Sequence, residues 1–448
     1  MRCRCGTKAI LRRALSSLAA SGAWAAVLSP AWLAVPVLKA CSSPLICRCG
    51  RGTIRLTRRV SSVDWGMIWG PDLGEEAGTR NAEETRMRIL IVVAAVAVLS
   101  AGLAQAQKCT VTVTAPDSIQ NAVNAAKTGA VICLDGTFYQ SVSINKSHLT
   151  LRAAPGKAAV LDGTGAAPDA IILGNNVSQV TIEGLEIRNY GMGQWCCGYG
   201  NAIVAWDVST SSIAVRKNHL HDNNWNGVLV GSEGAQIHKG WTIEQNIVAK
   251  NGYAQIEITN CDSCSIQDNT VVGNTSTYTD PFWYPTTLGI LVQARNMVPG
   301  APPVEIQAAK VQGNQISGCE GGGWFDVCLY LYAQGLSEGP QVSRAILKPV
   351  SVVQNKIAGR RGVYVLGVAV DGAGFEVSGV TAGQVVNASV VNNAIQCAGS
   401  PPLPSAAVVA DINAVNTKIV NNAIAPGCTY NVADFGQKTK IPRARSKR

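Results

Sequence analysis

The stretches WTIEQNIV at residues 241–248 and CSIQDNTV at residues 264–271 share one pattern: a short apolar segment, an asparagine, and a second apolar segment. The pattern recurs at spacings of 23 to 45 residues, as expected of a repeat with loops of variable length. Repeats of this period indicate stacked supersecondary units, none of which can bury its apolar face alone. The seven marked positions are Asn218, Asn246, Asn269, Asn314, Asn355, Asn393 and Asn422.

Each repeat predicts three short strands that form one turn of a coil. The first strand has two or three inward apolar positions, the second ends at the repeated asparagine, and a polar loop leads to the next unit. Asparagine tolerates the left-handed backbone of a sharp corner, and stacked asparagines can hydrogen-bond along the stack. We therefore predict an all-β stack of about nine coils, about 43 Å long at roughly 4.8 Å per coil.

A single amphipathic helix precedes the strands. Residues 118–126 place apolar side chains at helical spacing, with Asp117 or Ser118 as the N-cap and Gly129 as the stop. Such a helix predicts an N-terminal cap that covers the apolar cross-section and the open sheet edge of the first coil.

The flanking segments are expected to lie outside this domain. Residues 87–106 have the Arg88, apolar run and Ala-Gln-Ala site of a secretory signal peptide. The predicted domain is 107–435, followed by a basic disordered tail at 436–448. Residues 1–86 are expected to be a non-structural upstream extension, with a membrane anchor at residues 18–38 as the alternative.

The net charge of +10 is concentrated outside the predicted domain. Of 38 basic and 28 acidic residues, 14 and 6 precede Gln107, and the tail carries six further basic residues. The body is slightly acidic, which argues against a nucleic-acid partner. Contact of the basic tail with a membrane surface or polyanion is the alternative to disorder.

Ten cysteines follow the predicted signal peptide, which favours disulfides in an oxidising compartment. The plausible pairs are Cys109–Cys133, Cys319–Cys328 and Cys397–Cys428, although sequence does not fix connectivity. The Cys261-x-x-Cys264 motif also suits a metal or redox site, but no second matching pair or histidine partner stands nearby.

The segment from Thr112 to Gly165, TVTAPDSIQNAVNAAK through AVLDGTG, followed by the asparagine-marked coils, resembles the pectin-lyase-like proteins. This resemblance implies a right-handed single-stranded parallel β-helix with a short N-terminal capping α-helix. It covers nearly all of the chain after the signal peptide, but it is not specific for activity, because the group includes lyases, hydrolases, epimerases and non-catalytic proteins.

The resemblance also implies that substrate lies along the first strand of each coil and the loops that lead into it. Aromatic rings stack on sugars, and charges meet hydroxyl or uronate groups, so a face that combines them suits a polysaccharide. The expected substrate-binding residues are Trp195, Trp225, Tyr278, Trp283, Tyr284, Trp324, Tyr330, Arg360 and Arg361.

A polysaccharide lyase acting on a uronate polymer is the leading functional hypothesis. Such a lyase needs a base for the proton α to the carboxyl group, a positive charge for that carboxylate, and a proton donor. Lys250 or His221 is the candidate base and Tyr253 the donor. Carboxylates favour Ca²⁺ as the cofactor. The full catalytic candidate set is His221, Asp222, Lys250, Tyr253 and Glu257, and the metal candidates are Asp222, Glu257 and Asp262.

Two alternatives stay open from sequence. A glycoside hydrolase needs two flanking carboxylates, for which Asp222, Glu257 and Asp326 are candidates. A non-catalytic surface or periplasmic β-helix protein would present a glycan- or protein-binding face. In each case we expect a monomer that is secreted, periplasmic or on the cell surface, with no stable membrane span after the signal peptide.

Overall fold

In the computed structural model the chain forms a right-handed parallel β-helix, as predicted. The structure describes residues 108–164, 168–191, 199–274, 288–319, 326–371, 376–377, 380–398 and 405–441. All of them belong to the second of two compact units, residues 87–448. The first unit, 1–86, and residues 87–106, the predicted signal peptide, lie outside the described residues. Among the described residues no helix is long and apolar enough to cross a membrane.

Three long parallel sheets run along the rod, and we name them in the order in which each coil visits them. The front sheet contains the first strand of each coil. Its parallel strands are Val142–Ile144, Ile171–Leu173, Ile203–Trp206, Val228–Gly231, Ala254–Thr259, Leu288–Asn296, Val327–Glu338, Arg361–Val370, Ala406–Ala410 and Tyr430–Asp434, and Gln341–Ser343 pairs antiparallel at one edge.

The second sheet leads to the repeated asparagine of each coil. Its strands are Val111–Thr114, the start of Val131–Phe138, Thr150–Ala153, Thr181–Glu183, Ala214–Arg216, Thr242–Glu244, Ser265–Gln267, Ala309–Gln312, Val350–Val353, Ser389–Val391 and Lys418–Val420.

The third sheet follows the asparagine and leads into the loop before the next front strand. It contains the end of Val131–Phe138, Ala159–Asp162, Glu186–Arg188, His219–His221, Ile247–Ala249, Thr270–Val272, Gln315–Cys319, Lys356–Gly359, Ala394–Cys397 and Ala423–Ile424. Two short sheets join the front and second sheets, with strands Val177–Ser178, Thr210–Ser211, His238–Lys239 and Cys261–Asp262, and Val304–Ile306, Ala345–Leu347, Gly383–Val386 and Ala414–Val415.

The core lies inside the coil because apolar side chains at alternate strand positions point inward. In the front sheet one inward column runs through Ile203, Val228, Ile256, Ile290 and Leu329, and each of these side chains is fully buried. Equivalent residues stack directly on one another because neighbouring strands are parallel and in register. Each coil thus buries its apolar positions against the coils before and after it.

Helix α1, Ile119–Ala125, caps the first coil as predicted. The Ser118 hydroxyl accepts a hydrogen bond from the backbone N–H of Asn121 at 3.2 Å, which makes Ser118 the N-cap. Ile119 and Val123 are buried against the core. The helix therefore covers apolar surface that the first coil would otherwise expose.

The repeated asparagines form a buried hydrogen-bonded ladder, which confirms the predicted stacking. The side-chain Nδ2 of each donates to Oδ1 of the next along the whole series, at 2.9–3.0 Å. The asparagine itself was predicted to be the left-handed corner residue. In the structure the left-handed residue is instead the one before each asparagine, such as Lys217, Gln245 or Asp268. That residue makes the turn, and the following asparagine is left free to point inward and bond to its neighbours.

Four disulfides join described cysteines. The pairs Cys109–Cys133, Cys319–Cys328 and Cys397–Cys428 are those predicted. Cys261 and Cys264 also form a disulfide, which removes both thiols from any metal site.

The β-helix also continues beyond its predicted end at residue 435. Gln437 and Lys440 pair in parallel with Val415 and Lys418 of the preceding coil. The start of the predicted disordered tail therefore belongs to the last turn, and residues 442–448 lie outside the described part.

Candidate functional site

A second series of hydrogen-bonded polar side chains lies at the corner where the chain passes from the third sheet to the front sheet. Asn223 Nδ2 donates to Asn251 Oδ1 at 2.9 Å, and Asn251 Nδ2 donates to Gln255 Oε1 at 2.9 Å. Gln255 is fully buried and points inward. Because the next residue, Ile256, also points inward, Gln255 departs from the strict alternation of a strand, which would place it outward. Residues that precede this corner lie on the third sheet, and residues that follow it lie on the front sheet.

The structure therefore divides the predicted catalytic residues into two groups. His221 lies on the third sheet, and Asp222 and Lys250 lie directly after it. Tyr253 and Glu257 lie beyond the corner, where the front strand Ala254–Thr259 begins. The five candidates therefore do not all lie on one face, because the corner asparagines change the direction of the chain between the two groups.

Glu257 is the buried acid of the front sheet. It points outward beside Leu229 and Leu291 in register, yet the residue is only 5% exposed. Its Oε2 accepts a hydrogen bond from Asn226 Nδ2 at 3.0 Å, and its Oε1 accepts one from the Thr259 hydroxyl at 3.4 Å. Burial raises the pKa of Glu257, and the hydrogen bond from Asn226 only partly offsets that effect.

Tyr253 and Trp225 stack at the start of the front sheet, with ring centroids 4.8 Å apart and an angle of 13° between the ring planes. Both side chains are partly exposed. Burial raises the pKa of the Tyr253 hydroxyl, the nearby Glu257 raises it further, and Arg295 lowers it. Arg295 Nε lies 2.8 Å from Glu233 Oε2, and its charge also acts on Glu257. An acid, a phenol and a guanidinium thus interact on one face.

Three tyrosines extend this face along the rod. The Tyr330 ring stacks on that of Tyr332 with centroids 4.9 Å apart and lies 5.2 Å from that of Tyr364. Tyr330 is only 6% exposed, so Tyr332 and Tyr364 present more of the aromatic surface than the predicted Tyr330. The Arg361 guanidinium lies 5.8 Å from the Tyr364 ring centroid, and the Tyr364 hydroxyl donates to Asp411. Burial raises the pKa of all three tyrosines.

Arg360 does not lie on this surface. It is 6% exposed, and its Nη1 lies 3.3 Å from Oδ2 of Asp326, which is 1% exposed. Arg360 is a buried ion-pair partner, which corrects its expected role as a substrate contact. The remaining predicted substrate-binding residues, Trp195, Tyr278, Trp283, Tyr284 and Trp324, lie outside the described residues.

The third-sheet group centres on His221. Its Nδ1 lies 2.6 Å from Asp222 Oδ2, its Nε2 lies 3.4 Å from Glu186 Oε1, and its ring stacks on that of His219 with centroids 4.0 Å apart. Burial lowers the pKa of His219, and the nearby His221 lowers it further. Asp222 and Lys250 both have left-handed backbones, with φ of 53° and 56°, so each also makes a corner of the coil.

Asp162 lies next to this group in the DGT turn. Its carboxylate accepts hydrogen bonds from Thr164, Asn189 and Arg188 Nε, the last at 3.0 Å. Burial by itself raises the pKa of Asp162, but these hydrogen bonds outweigh burial and lower it to about 2. The hydrogen bonds from Thr164 and Asn189 thus fix the turn that follows Asp162.

The predicted Ca²⁺ ligands do not fit a single site. Asp222 ends a third-sheet strand, Glu257 lies in the front sheet, and Asp262 lies in the short strand Cys261–Asp262, where its Oδ1 accepts from the Gln307 backbone. Calcium needs its oxygen ligands 2.3–2.6 Å from one centre. Among the described residues, the one group of acidic and histidine side chains whose ligand atoms lie close enough for a shared metal ion is Glu186, His219 and His221, within 4.8 Å of one another.

Four residues of these two groups were not predicted from sequence. Arg295 and Asn226 belong to the front face, and Glu186 and Arg188 belong to the third-sheet group. The alternation Leu291, Gln293, Arg295 is a signal that could have found Arg295. Glu186 and Arg188 could have been found by aligning EIR with HLH in successive coils.

No family model and no curated protein matches the chain. Solved structures similar to this one include a complex of XylC with xylose (10% identity, 68% of this chain and 66% of that one, TM-score 0.42). The A-module of the Azotobacter vinelandii mannuronan C-5 epimerase AlgE4 matches at 12% identity over 72% and 93% of the two chains, with a TM-score of 0.36. The Dettilon tailspike protein matches at 13% identity over 73% and 60%, with a TM-score of 0.41. At these identities and at TM-scores below 0.5, the likeness identifies neither a family nor an activity for this chain.

Proposed function

We propose that the protein is an exported polysaccharide lyase that cleaves a uronate-containing polymer on the front sheet. The observation that carries this proposal is the outer face of the front sheet, where the Trp225 ring stacks on that of Tyr253 and the buried Glu257 lies in the strand that begins directly after Tyr253. The four disulfides support an oxidising compartment, in keeping with export.

Each catalytic requirement has a candidate group in this proposal. Arg295, whose Nε lies 2.8 Å from Glu233 Oε2, is the positive charge proposed to attract the uronate carboxylate. Trp225 offers a ring surface for a sugar, next to the Tyr253 ring. The polymer would run along the rod towards Tyr332 and Tyr364.

The proposed reaction is β-elimination. Lys250, at the corner directly before Asn251, is proposed to reach the front-sheet substrate from the third-sheet side of that corner and to accept the proton α to the carboxyl group. The electron pair of that C–H bond forms a C=C bond as the glycosidic C–O bond breaks. Tyr253 gives its hydroxyl proton to the departing oxygen, and solvent returns the proton from Lys250 to Tyr253. The raised pKa of Tyr253 keeps the phenol protonated before the reaction.

A product assay tests the reaction type. The full chain is incubated with pectate, alginate or a glycosaminoglycan, once with Ca²⁺ and once with a chelator. Elimination leaves an unsaturated product that absorbs near ~235 nm, because the new C=C bond is conjugated with the carboxyl group. Reducing ends that appear without this absorbance would mean hydrolysis. No product from any of these polymers would contradict catalysis.

Lys250→Asn tests the base without breaking the corner. Asparagine adopts the left-handed backbone that Lys250 occupies at φ 56°, so the coil should remain intact. We expect loss of at least ~10²-fold in rate with an unchanged unfolding midpoint, since general bases contribute about 10²–10⁴-fold. A rate within twofold of wild type would exclude Lys250 as the base.

A non-catalytic glycan-binding protein is the second candidate. It is favoured because the charged groups of the front face already have partners within the protein. Asn226 and Thr259 donate hydrogen bonds to Glu257, and Glu233 forms an ion pair with Arg295. In this case Trp225→Ala should weaken retention on a glycan column about tenfold although no product forms, because a stacked ring contributes on the order of 1 kcal/mol. Tyr139→Ala, at a residue 65% exposed on an early coil, is the control. Equal retention of both variants would contradict binding at this face.

A further inference from the structure

We propose that Glu186, His219 and His221 form a binding site for a divalent transition-metal ion of the zinc class. The three side chains lie on the outer face of the third sheet, around the corner from the front face. This inference is independent of the proposed lyase activity.

The positions of the three side chains follow from strand register. Glu186 is directly opposite His219 on the neighbouring strand, and His221 lies two residues further along the strand of His219, on the same face. One ligand atom from each side chain lies within 4.8 Å of the other two. The stack of parallel strands thus brings two imidazoles and one carboxylate together.

One pair already has the spacing of metal ligands. His221 Nε2 lies 3.4 Å from Glu186 Oε1. Two ligands of a tetrahedral zinc ion, each about 2.1 Å from the ion, are about 3.4 Å apart. A small rotation of the His219 ring would complete three protein ligands and leave a fourth position for water or another small ligand.

A second, independent observation concerns the free nitrogen of His221. Its Nε2 is buried and makes no hydrogen bond, whereas its Nδ1 lies 2.6 Å from Asp222 Oδ2. With the proton on Nδ1 donated to Asp222, the Nε2 lone pair points towards Glu186 without a donor. Metal-binding histidines usually have this arrangement, in which a carboxylate orients the ring through its other nitrogen.

Two of the three ligands are accessible, and the present partner of Glu186 has a second partner of its own. Glu186 and His219 line a groove of about 320 Å³ beside the site. Arg188 Nη1 now lies 2.7 Å from Glu186 Oε1, while its Nε lies 3.0 Å from Asp162 Oδ2. If the ion takes the Glu186 oxygen, Arg188 therefore keeps Asp162 as its partner. Two imidazoles with one carboxylate favour zinc-class ions over calcium, which prefers oxygen ligands.

Zn²⁺ titration of the full chain by calorimetry tests the site. Seven cysteines lie outside the four described disulfides, so free thiols are first alkylated to prevent them from binding zinc. We expect one saturable site in the wild type and at least a ~10-fold loss of affinity in the double variant His219→Ala, His221→Ala. The control is His148→Asn, at an exposed position with φ 60° that asparagine tolerates.

Two further variants keep the test decisive if the double variant fails to fold. Glu186→Gln should lose affinity, and Asp222→Asn, at a positioning residue, should bind about 10–100-fold more weakly with an unchanged unfolding midpoint in the absence of metal. Co²⁺ should give the visible absorption of a tetrahedral site in the wild type and in the His148→Asn control, and this absorption should be absent from the double variant. No saturable Zn²⁺ binding to the wild type, or equal affinity in the wild type and every folded variant, would overturn the proposal.

Discussion

At the scale of single residues, several side chains shape the coil and also bear on chemistry. Lys250 and Asp222 are left-handed corner residues that sequence reasoning singled out for reactivity. Glu257 belongs to a buried polar network and also supplies the acid of the front face. In a coil of short strands few side chains point outward. Reactive side chains are therefore found at the corners and at the outward positions of the strands.

Asp162 gives a pH-dependent prediction at this scale. Its folded pKa of about 2 lies below the unfolded value, so its charge stabilises the fold above about pH 4, and this stabilisation is lost as the pH falls through about 2. Asp162→Asn should lower the free energy of unfolding by about 2 kcal/mol at pH 7, and the difference from wild type should disappear towards pH 2.

Urea unfolding at a series of pH values measures this difference. Asp117→Asn, at an exposed residue next to the helix cap, is the matched control and should change stability by less than about 0.5 kcal/mol at every pH. A deficit of Asp162→Asn that stays constant from pH 7 to pH 2 would show that the charge of Asp162 does not stabilise the fold.

At the scale of structural elements, the asparagine ladder connects the coils. Asn314 is fully buried; its Nδ2 donates to the Ile266 carbonyl and to Asn355, and its Oδ1 accepts from the backbone and side chain of Asn269. Removal of this side chain leaves buried partners in two neighbouring coils without hydrogen bonds. Each such group costs about 1–3 kcal/mol.

Asn314→Ala should therefore lower the free energy of unfolding by about 3 kcal/mol or more. The measurement is the denaturant midpoint together with its slope. Asn121→Ala, on the exposed side of the capping helix, removes an asparagine outside the ladder and should stay within about 0.5 kcal/mol of wild type. Equal destabilisation by the two substitutions would mean that the ladder adds no stability beyond that of an ordinary surface asparagine.

The elements also show how far sequence could lead. The asparagine pattern predicted the coils and helical spacing predicted the capping helix, because both depend on local spacing. The cysteine count favoured disulfides, and the three pairs offered as plausible are among those formed. The left-handed residue before each asparagine was assigned one position too late, since both Asn and its predecessor suit a corner. The inward Gln255 could not be predicted by strict alternation, because the corner places Gln255 and Ile256 both inside.

At the scale of the whole molecule, the rod separates two chemical surfaces. The front sheet carries Tyr253, Glu257 and the aromatic residues, and the third sheet carries the histidine pair. The sequence identified most of these residues but did not separate them into two surfaces. The grouping depends on the turn at Asn223 and Asn251, and on partners such as Arg295 that lie a whole coil away. Such contacts arise only when loops of different lengths bring the strands into register.

The most direct test of the front-face site compares two tyrosines of the same rod. On the uronate polymer that gives the fastest rise near ~235 nm, Tyr253→Phe should lower kcat at least ~10²-fold, because it removes the proton donor and keeps the ring that stacks on Trp225. Tyr139→Phe, at a residue 65% exposed on an early coil, should keep the wild-type rate. Equal rates for the wild type and both variants would contradict proton donation by Tyr253 and with it the site proposed on the front sheet.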